Sequence, residues 1–203
     1  MGRPKLRTDE LRSRLLDEAL RLLEADGPSA VRARTVAGAA GSSTAALYEL
    51  FGDKSGLVRA LFFESFALLD ERQRALAHSG DARADLEALL ATTREFAQQR
   101  PMLFDLMFGR PFEEFDPSTA DSDVARAIYR RYIAAVTRWL ESVVSPLPPR
   151  LGAELLVATH RGLVASELAG LLGRTEEARD ARYRAGVCVV LDGLAAQSAP
   201  EEV

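Results

Sequence analysis

The sequence predicts an all-α protein with a small N-terminal helix-turn-helix domain, residues 1–53, and a larger helical domain, residues 54–203. Three observations predict it. Apolar residues recur at three- and four-residue spacing along most of the chain, and no stretch alternates with period two for long enough to form a strand. The run Val31–Leu57 divides into two short helices about a turn at Gly41-Ser42. An apolar fraction of 47% with 28% charged residues describes a soluble globular chain.

Taken in order, residues 1 to 8 set Arg3, Lys5 and Arg7 around Pro4, whose ring breaks a helix interior. They read as a solvated tail or as a basic arm reaching phosphates or a minor groove, and the neighbouring helix-turn-helix favours the arm. From about Asp9, Leu11, Leu15, Ala19 and Leu22 repeat at helical spacing, widened by Leu16, Leu20 and Leu23, up to Asp26-Gly27-Pro28. In the helix-turn-helix, Val36, Ala37 and Ala40 form the inner face of the first helix (about 33–40), and Leu47 and Phe51 that of the second. Gly41 supplies the left-handed residue that closes the first helix, and Ser43 caps the second. The outer face of the second helix carries Ser43, Thr44, Ala45, Ala46, Tyr48 and Glu49. Short side chains there let a backbone sit deep in a major groove, where alanine methyls meet thymine methyls and Thr44 bonds a base edge or a phosphate. Arg34 and Thr35 on the preceding helix are further candidates.

A long helix follows from Lys54 to about His78, which at 1.5 Å per residue spans roughly 36 Å. Ser79-Gly80-Asp81 breaks it, and another helix runs to Arg100 on Leu86, Leu89, Leu90, Thr93, Phe96 and Ala97. Pro101 opens a short apolar segment, and 109–121 reads as a loop that tucks Phe112 and Phe115 inward. Helix resumes from about Ser122 to Val144 on Val124, Ile128, Tyr132, Val136, Trp139 and Val143. Two helices close the chain, about 150–172 and 176–196, rich in Ala and Gly. Small residues let helices approach closely, so this pair is expected to form a homodimer. Cys188 lies in the apolar run 187–191 and is expected to be buried.

The run from Val36 to Leu57 resembles the DNA-binding signature of the tetracycline-repressor (TetR) family, roughly I-A-x-x-A-G-V-S-x-G-x-L-Y-x-H-F-x-x-K-x-x-L. Val36, Ala37, Ala40, Gly41, Ser43, Leu47, Tyr48, Phe51, Lys54 and Leu57 fall in register. Ser42, Ala45 and Leu50 depart from the pattern, and Arg32 stands where a Ser or Thr normally caps. The resemblance implies that Tyr48 and Lys54 take backbone phosphates, and that the protein is a transcriptional repressor released from an inverted-repeat site on double-stranded DNA by a small-molecule effector. Residues 100–108 and 159–168 partly resemble a C-terminal subgroup of that family known for a Trp-His-Gly motif: His160 is present, but Arg161 separates it from Gly162 and the tryptophan is missing.

The charge balance bears on the DNA reading. The net charge is −4, with nine Lys/Arg against eight Asp/Glu in residues 1–57 and seventeen against twenty-two beyond, so DNA contact must come from a local patch. That balance also argues against a non-specific DNA coater. Two histidines and one cysteine build no Cys/His metal site, and no phosphate-binding glycine loop or catalytic elbow is present. No enzyme activity, cofactor or metal is expected. No run of eighteen apolar residues and no signal peptide exist, so a cytoplasmic location away from any membrane is expected. The aromatics and methionines Phe66, Phe96, Met102, Met107, Phe108, Phe112, Tyr132 and Trp139, with Thr93, Thr159 and His160, are expected to line a site for an apolar or aromatic ligand. The alternative is a ligand-binding helical protein or enzyme with a vestigial helix-turn-helix.

Overall fold

The computed structural model describes residues 3–118 and 121–196, and among these every regular element is helical. The helices are α1 (Arg3–Asp26), α2 (Ala33–Ala39), α3 (Thr44–Phe51), α4 (Lys54–Arg74), α5 (Ala82–Gln99), α6 (Pro101–Phe108), α7 (Ser122–Ser142), α8 (Pro149–Leu168) and α9 (Glu176–Ala195), with a 3₁₀ turn at Pro28–Ala30. They form two compact units: 1–68 with 100–124, and 69–99 with 125–203. The expected cut at 53/54 differs from this division, because α6 and the loop after it belong with the helix-turn-helix.

In the first unit, Leu15, Ala19 and Leu23 of α1 lose all solvent exposure, each fully buried Leu contributing about 1.5–3 kcal/mol. They form the bed for α2 and α3. The loop 109–118 returns Phe112 and Phe115 to the core, and Phe115 lies 5.4 Å from the ring of Phe62 on α4. Phe66 meets Phe108 edge to face at 5.8 Å, and Phe104 meets Phe108 at 4.9 Å. Two acids of this region hold α4 from outside: Glu114 pairs with Lys54, and Asp121 with Arg59. Burial works against the charge of Asp121, but the hydroxyl and amide of Ser118 and the Arg59 guanidinium outweigh it and hold the carboxyl below its usual range.

In the second unit, Leu86, Leu90, Phe96, Val136, Trp139 and Leu156 form a closed apolar core. A charged knot crosses it. Arg94 of α5 donates two hydrogen bonds to Glu167 of α8, at 2.7 and 2.6 Å, and a third to Asp180 of α9 at 2.6 Å. The same guanidinium covers the ring of Tyr183 at 4.2 Å, and the Tyr183 hydroxyl lies 2.9 Å from His160 Nε2. The His160 ring also lies against the Leu90 backbone. Burial pushes the imidazole down to about 4.

Several boundaries differ from the expectations. α1 starts at Arg3 and not at Asp9: Pro4 stands in the first turn, where its missing amide has no helical partner to lose. The basic segment is therefore helical backbone and not an extended arm, and the side chains of Arg3, Lys5 and Arg7 lie outside the described residues, as does that of Val124. α4 stops at Arg74, four residues short of His78, which makes it about 31 Å long. α8 ends at Leu168, before Gly170 with its left-handed φ of 74°. Val143 is 43% exposed and closes no rail.

Candidate nucleic-acid interface and the C-terminal cavity

The helix-turn-helix is built by local rules. α2 closes in a Schellman arrangement: Gly41 takes φ 63°, the Ser42 amide donates to the Ala37 carbonyl at 2.8 Å, and the Gly41 amide to the Gly38 carbonyl at 3.2 Å. At its start Arg32 gives no side-chain cap and instead donates from Nε to the Ser29 carbonyl at 2.9 Å. Ser43 caps α3, its Oγ accepting from the Ala46 amide at 3.1 Å, a contact worth about 1 kcal/mol. Val36, Ala37 and Leu47 are buried between the two helices, Ala40 and Phe51 are half-buried, and Arg12 of α1 lies over the Phe51 ring at 5.1 Å.

This leaves one face of α3 to solvent. Ser43, Thr44, Ala45, Tyr48 and Glu49 are exposed and Ala46 half-exposed, and Arg34 and Thr35 are exposed on α2. The structure thus brings these eight residues to one helix pair. Tyr48 stands 45% exposed, more than a packing residue needs. Lys54 opens α4 near the end of α3, but its ammonium is held by Glu114 and lies 5.9 Å above the Phe112 ring. Lys54 in turn draws the Glu114 carboxyl below its usual range.

Two residues that sequence reasoning missed set the corner between α3 and α4. Asp53 caps α4, its Oδ1 accepting from the Gly56 amide at 2.8 Å. Its signal was legible, an aspartate just ahead of an apolar-periodic run. Gly56 is required by contact: a Cβ there would overlap the Phe51 carbonyl oxygen. Only the packed structure reveals that need.

The residues expected to line a ligand site fall in both units. Phe66, Met102, Met107, Phe108 and Phe112 belong to the first, and Thr93, Phe96, Tyr132, Trp139, Thr159 and His160 to the second. Within the second unit the structure joins Thr93 to Tyr132, their hydroxyls 2.6 Å apart, and buries Phe96, Trp139 and His160. Thr159 is corrected: it is exposed, and its hydroxyl bonds back to the Leu155 carbonyl at 2.8 Å.

The second unit also holds an open groove of about 610 Å³ between the end of α4, the segment after it, α5 and α7. None of the eleven expected residues lines it. Its lining includes the apolar Leu76, Leu89 and Ala135 and the arginines Arg74, Arg131 and Arg138. Arg131 pairs with Asp70 at 2.8 Å and donates to Gln73 Oε1 at 2.9 Å, and Gln73 passes the chain on to Thr93 at 3.0 Å. Asp85, also in the lining, accepts from the amide and hydroxyl of Ser79 at 2.8 and 2.7 Å, which, with His78, holds it down at about 2.

Cys188 is exposed on α9 and not buried. It belongs to a broader face: Leu155, Ala158, Gly162 and Ala165 of α8 and Ala181, Ala185, Cys188 and Val189 of α9 are all exposed, Val189 at 72%. The remaining small residues work inside the hairpin, where Gly186 lets Leu163 approach.

Among the described residues, no helix is long and apolar enough to cross a membrane. The model for bacterial regulatory proteins of the tetR family matches residues 15–61, and that for a tetracyclin repressor-like C-terminal domain matches residues 86–190. No curated protein sequence matches. Among solved structures, the chain is similar to a Rhodococcus protein of unknown function, with 28% identity, a TM-score of 0.76, and 91% of this chain and 95% of that one covered. In fold it is similar to a TetR-family transcriptional regulator from Streptomyces coelicolor, at 22% identity and a TM-score of 0.66, covering 92% and 97%. A regulator of the same family from Thermus thermophilus aligns at 18% and 0.65, over 89% and 98%. With its capped helix pair, its exposed α3 face and family matches over both halves, the chain belongs to the TetR family of DNA-binding transcriptional regulators.

Proposed function

We propose that the protein is a homodimeric repressor that holds an inverted-repeat operator through two copies of α3 and releases it when a small molecule occupies the C-terminal unit. The observation that carries this reading is the solvated outer face of α3, small and polar from Ser43 to Tyr48, on a helix whose other face is locked to α2. Thr44, Ala45 and Ala46 read base edges, with Ser43 at the helix start. Tyr48, Arg34, Thr35 and Lys54 hold phosphates, and the basic residues Arg3, Lys5 and Arg7 are further candidates for DNA contact. Lys54 exchanges Glu114 for a phosphate on binding, an exchange of one anion for another at an exposed site.

Dimerisation uses the exposed small-residue face of α8 and α9, which matches its own copy about a two-fold axis. The two recognition helices then need a separation of about 34 to 36 Å, one turn of DNA. α4 carries residues of both units, Lys54–Leu68 and Leu69–Arg74, so a displacement of its C-terminal end by a ligand reaches the α3–α4 corner. The regulator works in the cytoplasm, without enzymatic activity or cofactor.

Binding of labelled duplexes by Tyr48→Ala and Thr44→Ala proteins tests the assignment. Tyr48→Ala should weaken every sequence alike, and Thr44→Ala should change the order of preference. Unchanged affinity and preference in both variants would remove α3 from the interface and favour a ligand-binding protein with a vestigial motif.

A further inference from the structure

The groove of the second unit differs in chemistry from the apolar site expected from the aromatic residues. Three arginines, Arg74, Arg131 and Arg138, line the groove, yet residues 58–203 as a whole carry more acids than bases. Against them the lining contributes one carboxylate, Asp85, with Asp70 behind the rim. Asp85 is already satisfied by Ser79 through two hydrogen bonds. Arg138 approaches it only to 3.8 Å, too far for a hydrogen bond. The other neighbour of Arg138 is His78 Nδ1 at 3.2 Å, and that same nitrogen lies 3.1 Å from Asp85 Oδ2. One ring nitrogen cannot donate to the carboxylate and accept from the guanidinium together, so one of the two contacts is always idle. Arg74 and Arg138 are the more accessible, with side chains 69% and 45% exposed; Arg74 pairs through Nε with Asp70 at 2.7 Å and keeps its terminal amino groups for a ligand, and Arg131 is held between Asp70 and Gln73. The lining also includes the apolar Leu76, Leu89 and Ala135.

We propose that this groove binds a small amphipathic organic anion, its carboxylate or phosphate held by Arg74 and Arg138 and its apolar body laid along Leu76, Leu89 and Ala135. A guanidinium fork matches either anion with two parallel donors, and the volume lies in the range of small-molecule sites. The proposal rests on the reading that the C-terminal unit carries the effector site, and it replaces an apolar effector by an anionic one. Arg131 acts as a positioning residue: through Gln73 and Thr93 it connects the groove to the buried Tyr132 hydroxyl.

Calorimetric titration and thermal shift of the full-length protein decide it, using octanoate, 1-naphthoate and hexyl phosphate against octanamide, 1-naphthamide and hexan-1-ol. At least one anion should bind about tenfold more tightly than its neutral counterpart, the ratio one charge-assisted hydrogen bond supplies. That advantage should shrink at high salt and disappear in the Arg74→Gln/Arg138→Gln protein. If no anion outbinds its counterpart, or the double variant binds as the native chain does, the site is refuted. Should the double variant fail to fold, Ala134→Phe, which fills the groove from the exposed surface of α7, must abolish anion binding, and undiminished binding overturns the proposal. These titrations need no DNA. An anion that binds here without releasing operator leaves the site standing and refutes ligand release; release by a compound that the double variant binds equally well does the reverse.

Discussion

Replacing Arg94 by Leu should be among the most damaging single changes in the second unit. Glu167 keeps only 3% of its side-chain exposure, and Arg94 supplies two of its hydrogen bonds, leaving Gln98 Nε2 at 3.0 Å and the more distant Arg179. Removing one partner of such a pair strands a buried charge and costs about 3–5 kcal/mol. For a chain of this size each kcal/mol lowers Tm by about 2–4 °C, so the variant should melt roughly 6 to 20 °C below the native protein at equal chain concentration. The pH dependence identifies the mechanism. In the native protein Arg94 holds the Glu167 carboxyl below its usual range, so the pair's stabilisation is present above the unfolded carboxylate range and lost as pH falls through the folded value. In the variant burial, opposed only by Gln98 and the more distant Arg179, raises the carboxyl, so acid neutralises the stranded charge and relieves the penalty. Melts at pH 7.5 and 4.5 should therefore show a deficit that narrows in acid, and Arg94→Leu/Glu167→Leu should recover most of the loss. A deficit below about 1 kcal/mol, or one equal at both pH values, would refute the stranded-charge account.

Three further outcomes follow from the geometry. Gly56→Ala forces the α3–α4 corner to move and should lower stability by about 1–3 kcal/mol and weaken DNA binding, whereas Gly38→Ala, with open space at its Cβ, should raise stability by about 0.5–1 kcal/mol in the same urea titration; equal effects would dismiss the contact with Phe51. Burial lowers His160 from 6.5 to about 4, so between these values the unfolded chain binds the extra proton and stability falls as pH falls. His160→Gln should remove about 1–2 kcal/mol of the loss measured between pH 7 and pH 5, and identical losses would mean that His160 is not held neutral. Val189→Glu places a charge on the face assigned to self-association and should turn a dimer into a monomer by sedimentation, without loss of helical content; an intact dimer would move the interface elsewhere.

The sequence made legible what local rules control. Gly41 closing α2, Ser43 capping α3 and the break at Asp26-Gly27-Pro28 each rest on a residue within a few positions of its partner. Helix ends are less legible where no such residue stands: Pro4 breaks a helix interior but is tolerated in a first turn, and Ala75-Leu76-Ala77-His78 beyond Arg74 are all compatible with helix although α4 ends at Arg74. Cys188 misleads because a continuous apolar run on a helix faces all sides, and of residues 187–191 only Val187 and Leu191 are buried. The Arg94 knot and the arginine groove were invisible for a different reason. Their members lie tens of residues apart in sequence, 73 for Arg94 and Glu167, and charges that read as solvated faces come together only on packing. The outer face of α3 was the most legible part of the candidate site, since the inner face of an eight-residue helix defines the outer one.

Selection of duplexes from a random DNA pool at physiological salt, with the Tyr48→Ala protein in parallel, tests the central claim most directly. The native protein should enrich an inverted repeat whose half-sites lie about one helical turn apart, and the variant should lose that enrichment. Recovery of no preferred sequence, or of the same repeat by both proteins, would contradict recognition through α3.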